Sequence, residues 1–208
     1  MPFNTDWNRV HDEVDWRPEP DLCFTEFIAK HYKAGENRTF LDIGCGVGAC
    51  AVPLALAGFK VIAIDGAPAA VRALKVNLLD SGCNVRNVTC VTGDILDLDL
   101  EPQSLDCIID AVTFSMMPLE DVRFVLEKAT RWLKPDGRIY SKQLVTLPPP
   151  RFNRTYARTS TPAETKDLFR RFVGEAFTAT QWLRTGEDEV SPIEHVVFDA
   201  QLAQPQRT

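Results

Sequence analysis

Apolar positions along the chain follow two periods in turn, and each switch between them marks the passage from a strand to a helix. Short apolar or β-branched runs at 40–43, 60–65, 88–95, 105–110 and 138–144 read as strands. Between them, residues 49–57 are apolar almost all round, as in a helix packed on several sides. Pro68 sits at a first helical position and opens a helix carrying Val71, Leu74, Val76 and Leu78 to Asp80, with Gly82 beyond its end. Pro118 opens another, in which Val122, Val125, Leu126, Ala129, Trp132 and Leu133 recur at three- and four-residue steps until the turn at 134–137. Thr161 and Glu164 form a capping box for a helix through Phe172, with Gly174 as its stop signal. Two β-rich runs, 177–183 and 193–202, flank a polar stretch at 185–189. Strands alternating with helices predict a doubly wound α/β sheet.

Composition leaves that picture intact and narrows the setting. The 208 residues are 45% hydrophobic and 25% charged, which predicts one compact domain without repeats or low-complexity tracts. Its expected parts are an N-terminal lid and helix segment at 1–35, a ligand-binding core at 36–145, a substrate loop at 146–161 and a C-terminal helix and strand pair at 162–208. The first residues show no basic region followed by an apolar stretch, and the uncharged run from Ile43 to Phe59 is short and broken by glycines and Pro53. The expected setting is therefore cytoplasmic, with no membrane partner. Cysteines at 23, 45, 50, 83, 90 and 107 form no Cys-x-x-Cys and no zinc spacing, so they read as buried reduced thiols and no metal site is expected.

Candidate chemistry centres on Phe40-Leu41-Asp42-Ile43-Gly44-Cys45-Gly46-Val47-Gly48, an apolar strand entering a glycine turn. Glycines there let the backbone approach a ligand closely. The third glycine comes one residue too early for the dinucleotide fingerprint, and no Gly-Lys-Ser/Thr follows. Asp42, beside the turn, disfavours a pyrophosphate and favours a ligand with a sulfonium and an ammonium, such as S-adenosylmethionine. The stretch resembles the first motif of class I S-adenosylmethionine-dependent methyltransferases, and the resemblance extends from about Thr39 to Gln143. It implies a seven-stranded, mostly parallel Rossmann-like sheet with an antiparallel C-terminal strand. It also implies cofactor contacts from Asp42, Gly44, Cys45 and Gly46; from Asp65 and Gly66, with Asp65 on the ribose; and from Gly93, Asp94 and Ile95 around the adenine. Asp110, ending the fourth strand, is expected at the cofactor and the reaction centre, or else as a structural acid bonded to a nearby N–H.

Acceptor specificity falls outside that core. Trp7, Trp16 and the strand-four segment through Phe114 are substrate candidates, although the two tryptophans fit sealing of a sheet edge equally well. Arg154 and Tyr156 lie in the loop after the fifth strand, where a rigid scaffold commonly carries binding groups. The stretch 138–171 holds eight Lys and Arg against two acids, so it carries +6 while the rest of the chain carries −12. A domain-wide basic footprint is missing, and 110–113 lacks the Asn/Asp-Pro-Pro-Tyr/Phe motif of many nucleic-acid amino-methyltransferases. The reading is metal-independent, in-line methyl transfer to a small molecule. An RNA or protein acceptor held by the basic stretch, and a non-catalytic cofactor-binding module, are the alternatives. A weaker likeness to thiopurine and tellurite-resistance methyltransferases suggests a soft nucleophile, which needs no base. An oxygen or nitrogen acceptor would need one, and His11 is the first candidate.

Overall fold

The structure, a computed structural model, describes residues 2–13, 20–147, 157–184 and 190–203. The elements are α1 (Pro2–Glu13), α2 (Leu22–His31), β1 (Thr39–Ile43), α3 (Ala51–Leu56), β2 (Lys60–Asp65), α4 (Pro68–Asp80), β3 (Val88–Thr92), β4 (Leu105–Ala111), α5 (Leu119–Trp132), β5 (Leu133–Leu144), α6 (Pro162–Leu168), β6 (Phe172–Arg184) and β7 (Val190–Leu202). Single 3-10 turns occupy Val85–Asn87 and Thr113–Met116.

Seven strands form one sheet in the order β3-β2-β1-β4-β5-β7-β6. All neighbours run parallel except β7, which is antiparallel to both β5 and β6. The chain steps outward from β1 to β3 and then returns to the other side of β1 as β4. That reversal opens a crevice at the carboxyl ends of β1 and β4, where open α/β sheets bind ligands.

Each sheet face is covered. On one side Phe40, Val61, Ile109 and Tyr140 pack under α2, α3 and α4 through Phe24, Phe27, Leu54 and Leu74. On the other, Leu41, Ile43, Ile108, Ile139 and Phe198 pack under α5 and α6 through Val122, Val125, Trp132 and Phe169. The central strands are buried on both faces, which is why they read as unbroken apolar runs.

Three boundaries differ from the sequence pattern. Leu133 leaves the helix and pairs with Leu105 as the first residue of β5, and 134–137 then bulge before Arg138 pairs with Cys107. α6 ends at Leu168, because Phe169 and Phe172 turn into the core. Gly174 consequently stops no helix. It lies in β6, where an added Cβ would overlap the Asp199 carbonyl oxygen, so close strand approach is its role.

Candidate functional site

The carboxyl end of β1 runs straight into the glycine turn. Gly44 has φ +64, and a Cβ there would overlap the side chain of Thr113, whose hydroxyl donates to the Ile43 carbonyl at 2.9 Å. Gly46 has φ +51 and a bare outer side, with His11 Cε1 3.6 Å from where its Cβ would be. The turn is laced to its neighbours: Cys45 N–H donates to Ile64 O at 3.0 Å, and Asn77 Nδ2 to Val47 O at 2.9 Å. Burial holds the Cys45 thiol well above its usual range, so it fills space as an inert group.

Asp65, at the end of β2, closes the turn from the other side. Its Oδ2 accepts from Gly46 N–H at 2.9 Å and its Oδ1 from Ala67 N–H at 2.8 Å. Each oxygen keeps a lone pair, and the side chain is half-buried beside Gly66. Gly93 N–H donates to Asp65 O at 3.0 Å, which brings the end of β3 alongside. There the half-buried Asp94 accepts from Leu96 N–H at 3.0 Å, and Ile95 is 8% exposed against the apolar core on the α5 side.

Asp42 differs in kind. It is 2% exposed, accepts a hydrogen bond from the Ala51 N–H that starts α3, and keeps Oδ2 buried with no hydrogen-bond partner. Burial, reinforced by the Asp65 charge, pushes its carboxyl up to about 7. An orphaned buried carboxylate oxygen beside a bare glycine backbone fits a cationic ligand that would meet it.

Helix α1 lies against this group. Asn8 Oδ1 accepts from the Ala69 N–H at 2.8 Å, and Arg72 reaches Asp12 at 3.4 Å, fixing α1 to the start of α4. His11 is half-buried, and burial lowers its pKa against the raising effect of Asp65 and Asp12. Trp7 stacks at a tilt on His11, with ring centroids 6.2 Å apart, and packs toward Met116, Leu144 and Ile193. The structure thus gathers Asp42, Gly44, Cys45, Gly46, Asp65, Gly66, Gly93, His11 and Trp7 around one crevice.

Asp110 and Phe114 do not join them. Asp110 is 0% exposed; its Oδ1 accepts from Phe114 N–H at 2.9 Å and its Oδ2 from Ser141 Oγ and Gln143 Nε2, each at 2.6 Å. With three donors on it and no exposed surface for a ligand to reach, it fits the structural acid rather than a reaction-centre or cofactor group, and burial raises it to about 7. Phe114 is 0% exposed against Phe169, so it belongs to the core and not to an acceptor site. Trp16, Arg154 and Tyr156 lie outside the described residues.

The network around Asp110 was invisible in the sequence because its members are scattered. Ser115 Oγ donates to Gln143 Oε1 at 3.0 Å, and Arg158 donates from its N–H to Ser115 O at 2.8 Å and from Nη2 to Phe114 O at 2.7 Å. The basic stretch is drawn inward in the same way. Arg138 pairs with Asp199 at 2.9 Å and Lys142 with Asp21 at 2.6 Å, so with Arg158 three of its cations serve internal contacts. Asp199 also takes Lys30 and His31, each at 2.8 Å. These hydrogen bonds outweigh the cost of burial and hold it at about 2. Among the described residues no helix is long and apolar enough to cross a membrane.

A family model described as a methyltransferase domain matches residues 40–137. Among curated relatives, cypemycin N-terminal methyltransferase from a Streptomyces species is 30% identical over 137 residues, covering 63% of this chain and 51% of its own length. The chain spans about half or less of the length of the first curated relatives it matches. A solved structure concerned with conversion of a disulfide bond into a thioacetal group in echinomycin biosynthesis superposes with a TM-score of 0.77 at 15% identity, covering 96% of this chain and 92% of that one. The 1,6-didemethyltoxoflavin-N1-methyltransferase of Burkholderia thailandensis, solved with 1,6-didemethyltoxoflavin and S-adenosylhomocysteine bound, gives 0.64 at 18% identity over 98% of this chain and 85% of that one.

Proposed function

We propose that this chain is a class I S-adenosylmethionine-dependent methyltransferase that transfers a methyl group to a small organic acceptor. The observation that carries the proposal is the crevice at the strand reversal, where Asp42 and Asp65 flank a left-handed glycine turn and one carboxylate oxygen stays buried without a partner. When bound, the cofactor supplies an electrophilic methyl on a sulfonium, open to in-line displacement.

The chain's own residues bind and align. Asp42 would meet the ammonium end, its charge restored by the ligand's. Asp65 keeps acceptor capacity for a ribose diol, and Asp94 keeps it for an exocyclic amine, with Ile95 as the apolar wall. His11 and Trp7 on α1 would cover the crevice and exclude water, and a His11 held neutral can take the proton of a hydroxyl or amine acceptor. The internal use of Arg138, Lys142 and Arg158 argues against an RNA backbone as acceptor. Methylation of a peptide or protein nitrogen is a second reading, favoured by the cypemycin relative and by the protein arginine N-methyltransferase relatives.

The test is calorimetry with S-adenosylmethionine, followed by a screen of thiols, phenols, amines and metalloid oxyanions with labelled cofactor. Asp65→Ala should weaken cofactor affinity by ~tenfold or more, the loss expected for hydrogen bonds to a charged group, with the thermal transition retained. Unchanged affinity would reject the ribose role, and cofactor binding without turnover on any acceptor would favour a binding module.

A further inference from the structure

The carboxyl end of β5 and the facing part of β7 carry a group of side chains that the methyltransferase reading leaves unused. In register, Leu144 pairs with His195, so both project to the same sheet face, and Ile193 lies two residues along β7 on that face. Met116, Leu144 and Ile193 form an apolar cluster of their own, with Trp7, Val112 and Ala157 packed against it. Beside Leu144 and Ile193 on this face stands His195, which is 3% exposed and whose Nδ1 is buried with no hydrogen-bond partner. A buried imidazole nitrogen left unpaired in a strand asks for an explanation, since such groups are nearly always satisfied. Val112 gives a second sign. It holds φ +78 at the end of β4, a left-handed conformation that a β-branched residue adopts only where its surroundings force it, and such residues gather at functional sites. Its N–H donates to Lys142 O at 2.9 Å, which ties the strained residue to β5.

We propose that Val112, Met116, Leu144 and Ile193 wall the acceptor-binding pocket, and that His195 Nδ1 is the group that accepts a hydrogen bond from the acceptor's hydroxyl or thiol. The proposal rests on the methyltransferase reading and narrows its substrate to a compact apolar molecule, such as a phenol or thiophenol. The charged groups acting on the imidazole are Lys142 on β5 and Asp21 at the start of α2, themselves paired at 2.6 Å. Burial and the Lys142 charge hold His195 down to about 4 against a backbone hydrogen bond at Ile193, so the ring is neutral at working pH and the nitrogen that the backbone leaves free has a lone pair to offer. As so weak a base it orients the acceptor and does not carry away its proton.

The experiment titrates 4-methylphenol and 4-methylthiophenol into the full chain saturated with S-adenosylhomocysteine, following the methyl signals of Met116, Leu144 and Ile193 and the ring signals of His195 by NMR. At least one probe should move these signals. His195→Phe fills the same space without the nitrogen, and should weaken that probe about tenfold while leaving S-adenosylhomocysteine affinity within about twofold. Signals that stay still in the unaltered chain, or equal probe affinity in the variant, would overturn the proposal. Failure of S-adenosylhomocysteine itself to bind would overturn the methyltransferase reading, and this pocket with it.

Discussion

Cofactor binding should expel a proton from Asp42. Without a ligand, burial and the neighbouring Asp65 hold this carboxyl up to about 7, so at neutral pH it is half protonated. A cation seated against its unpartnered oxygen favours the ionised form and returns the group toward the ordinary carboxylate range. Affinity for S-adenosylmethionine is then flat well above pH 7 and falls by ~tenfold per pH unit well below it. Between pH 7 and pH 5.5 the expected loss is ~15-fold, or ~1.6 kcal/mol, with ~0.5 proton released per binding event at pH 7 and ~0.9 at pH 6. Calorimetry in phosphate and in Tris reads the proton directly, because the released proton adds the buffer's ionisation heat. Asp42→Asn cannot titrate, so it should show weaker binding with no such slope, and any dependence it retains belongs to the ligand. A flat profile from pH 5.5 to 7 in the unaltered chain, or equal proton release in the variant, would refute the reasoning.

Asp110→Ala strands the Phe114 N–H, the Ser141 hydroxyl and the Gln143 amide in a site that is 0% exposed, so it should cost about 3 kcal/mol and lower the thermal midpoint by ~6–12 °C. Cofactor affinity should stay within about threefold, and a larger loss in a folded variant would restore Asp110 to the site. At the other end of the sheet, the cations around Asp199 depress it to about 2, below its unfolded value, so its contribution is present above pH ~4 and lost as pH falls through about 2. After allowance for solvent screening that contribution is about 1–2 kcal/mol, and urea titrations of Asp199→Asn should show it at pH 7 and not at pH 2.

The glycine turn, the acid ending β2 and the capping box on α6 were legible in the sequence because each is a local arrangement with its own residue signature. Thr161 does accept from Glu164 N–H at 3.2 Å while Glu164 accepts from Thr161 N–H at 2.8 Å. The end of that helix was not legible, because what stops it is the pull of Phe169 and Phe172 into a core assembled from distant strands. Gly174 carries the same lesson, since a glycine beside a helix pattern looks like a stop whether it caps the helix or makes room for the next strand. The ion pairs of Arg138 and Lys142 join β5 to β7 and to α2, so a count of charge along the chain could not show that these cations are spent inside the fold.

Two buried acids on the central strands show where sequence reasoning meets its physical limit. Asp42 and Asp110 end adjacent parallel strands, both among apolar neighbours, and nothing in their spacing separates their roles. Register does. Asp42 stands opposite Ile109, whereas Asp110 stands opposite Ile43, so the two carboxyls leave the sheet on opposite faces. On the α3 face Asp42 meets the Ala51 N–H and the glycine turn and keeps an oxygen free of partners; on the α5 face Asp110 meets Phe114, Ser141 and Gln143 and has none to spare. In a half-exposed strand, polar alternation would have announced that parity. In strands buried on both sides the alternation is erased, and one residue of register decides whether a buried carboxyl waits for a ligand or holds the frame together.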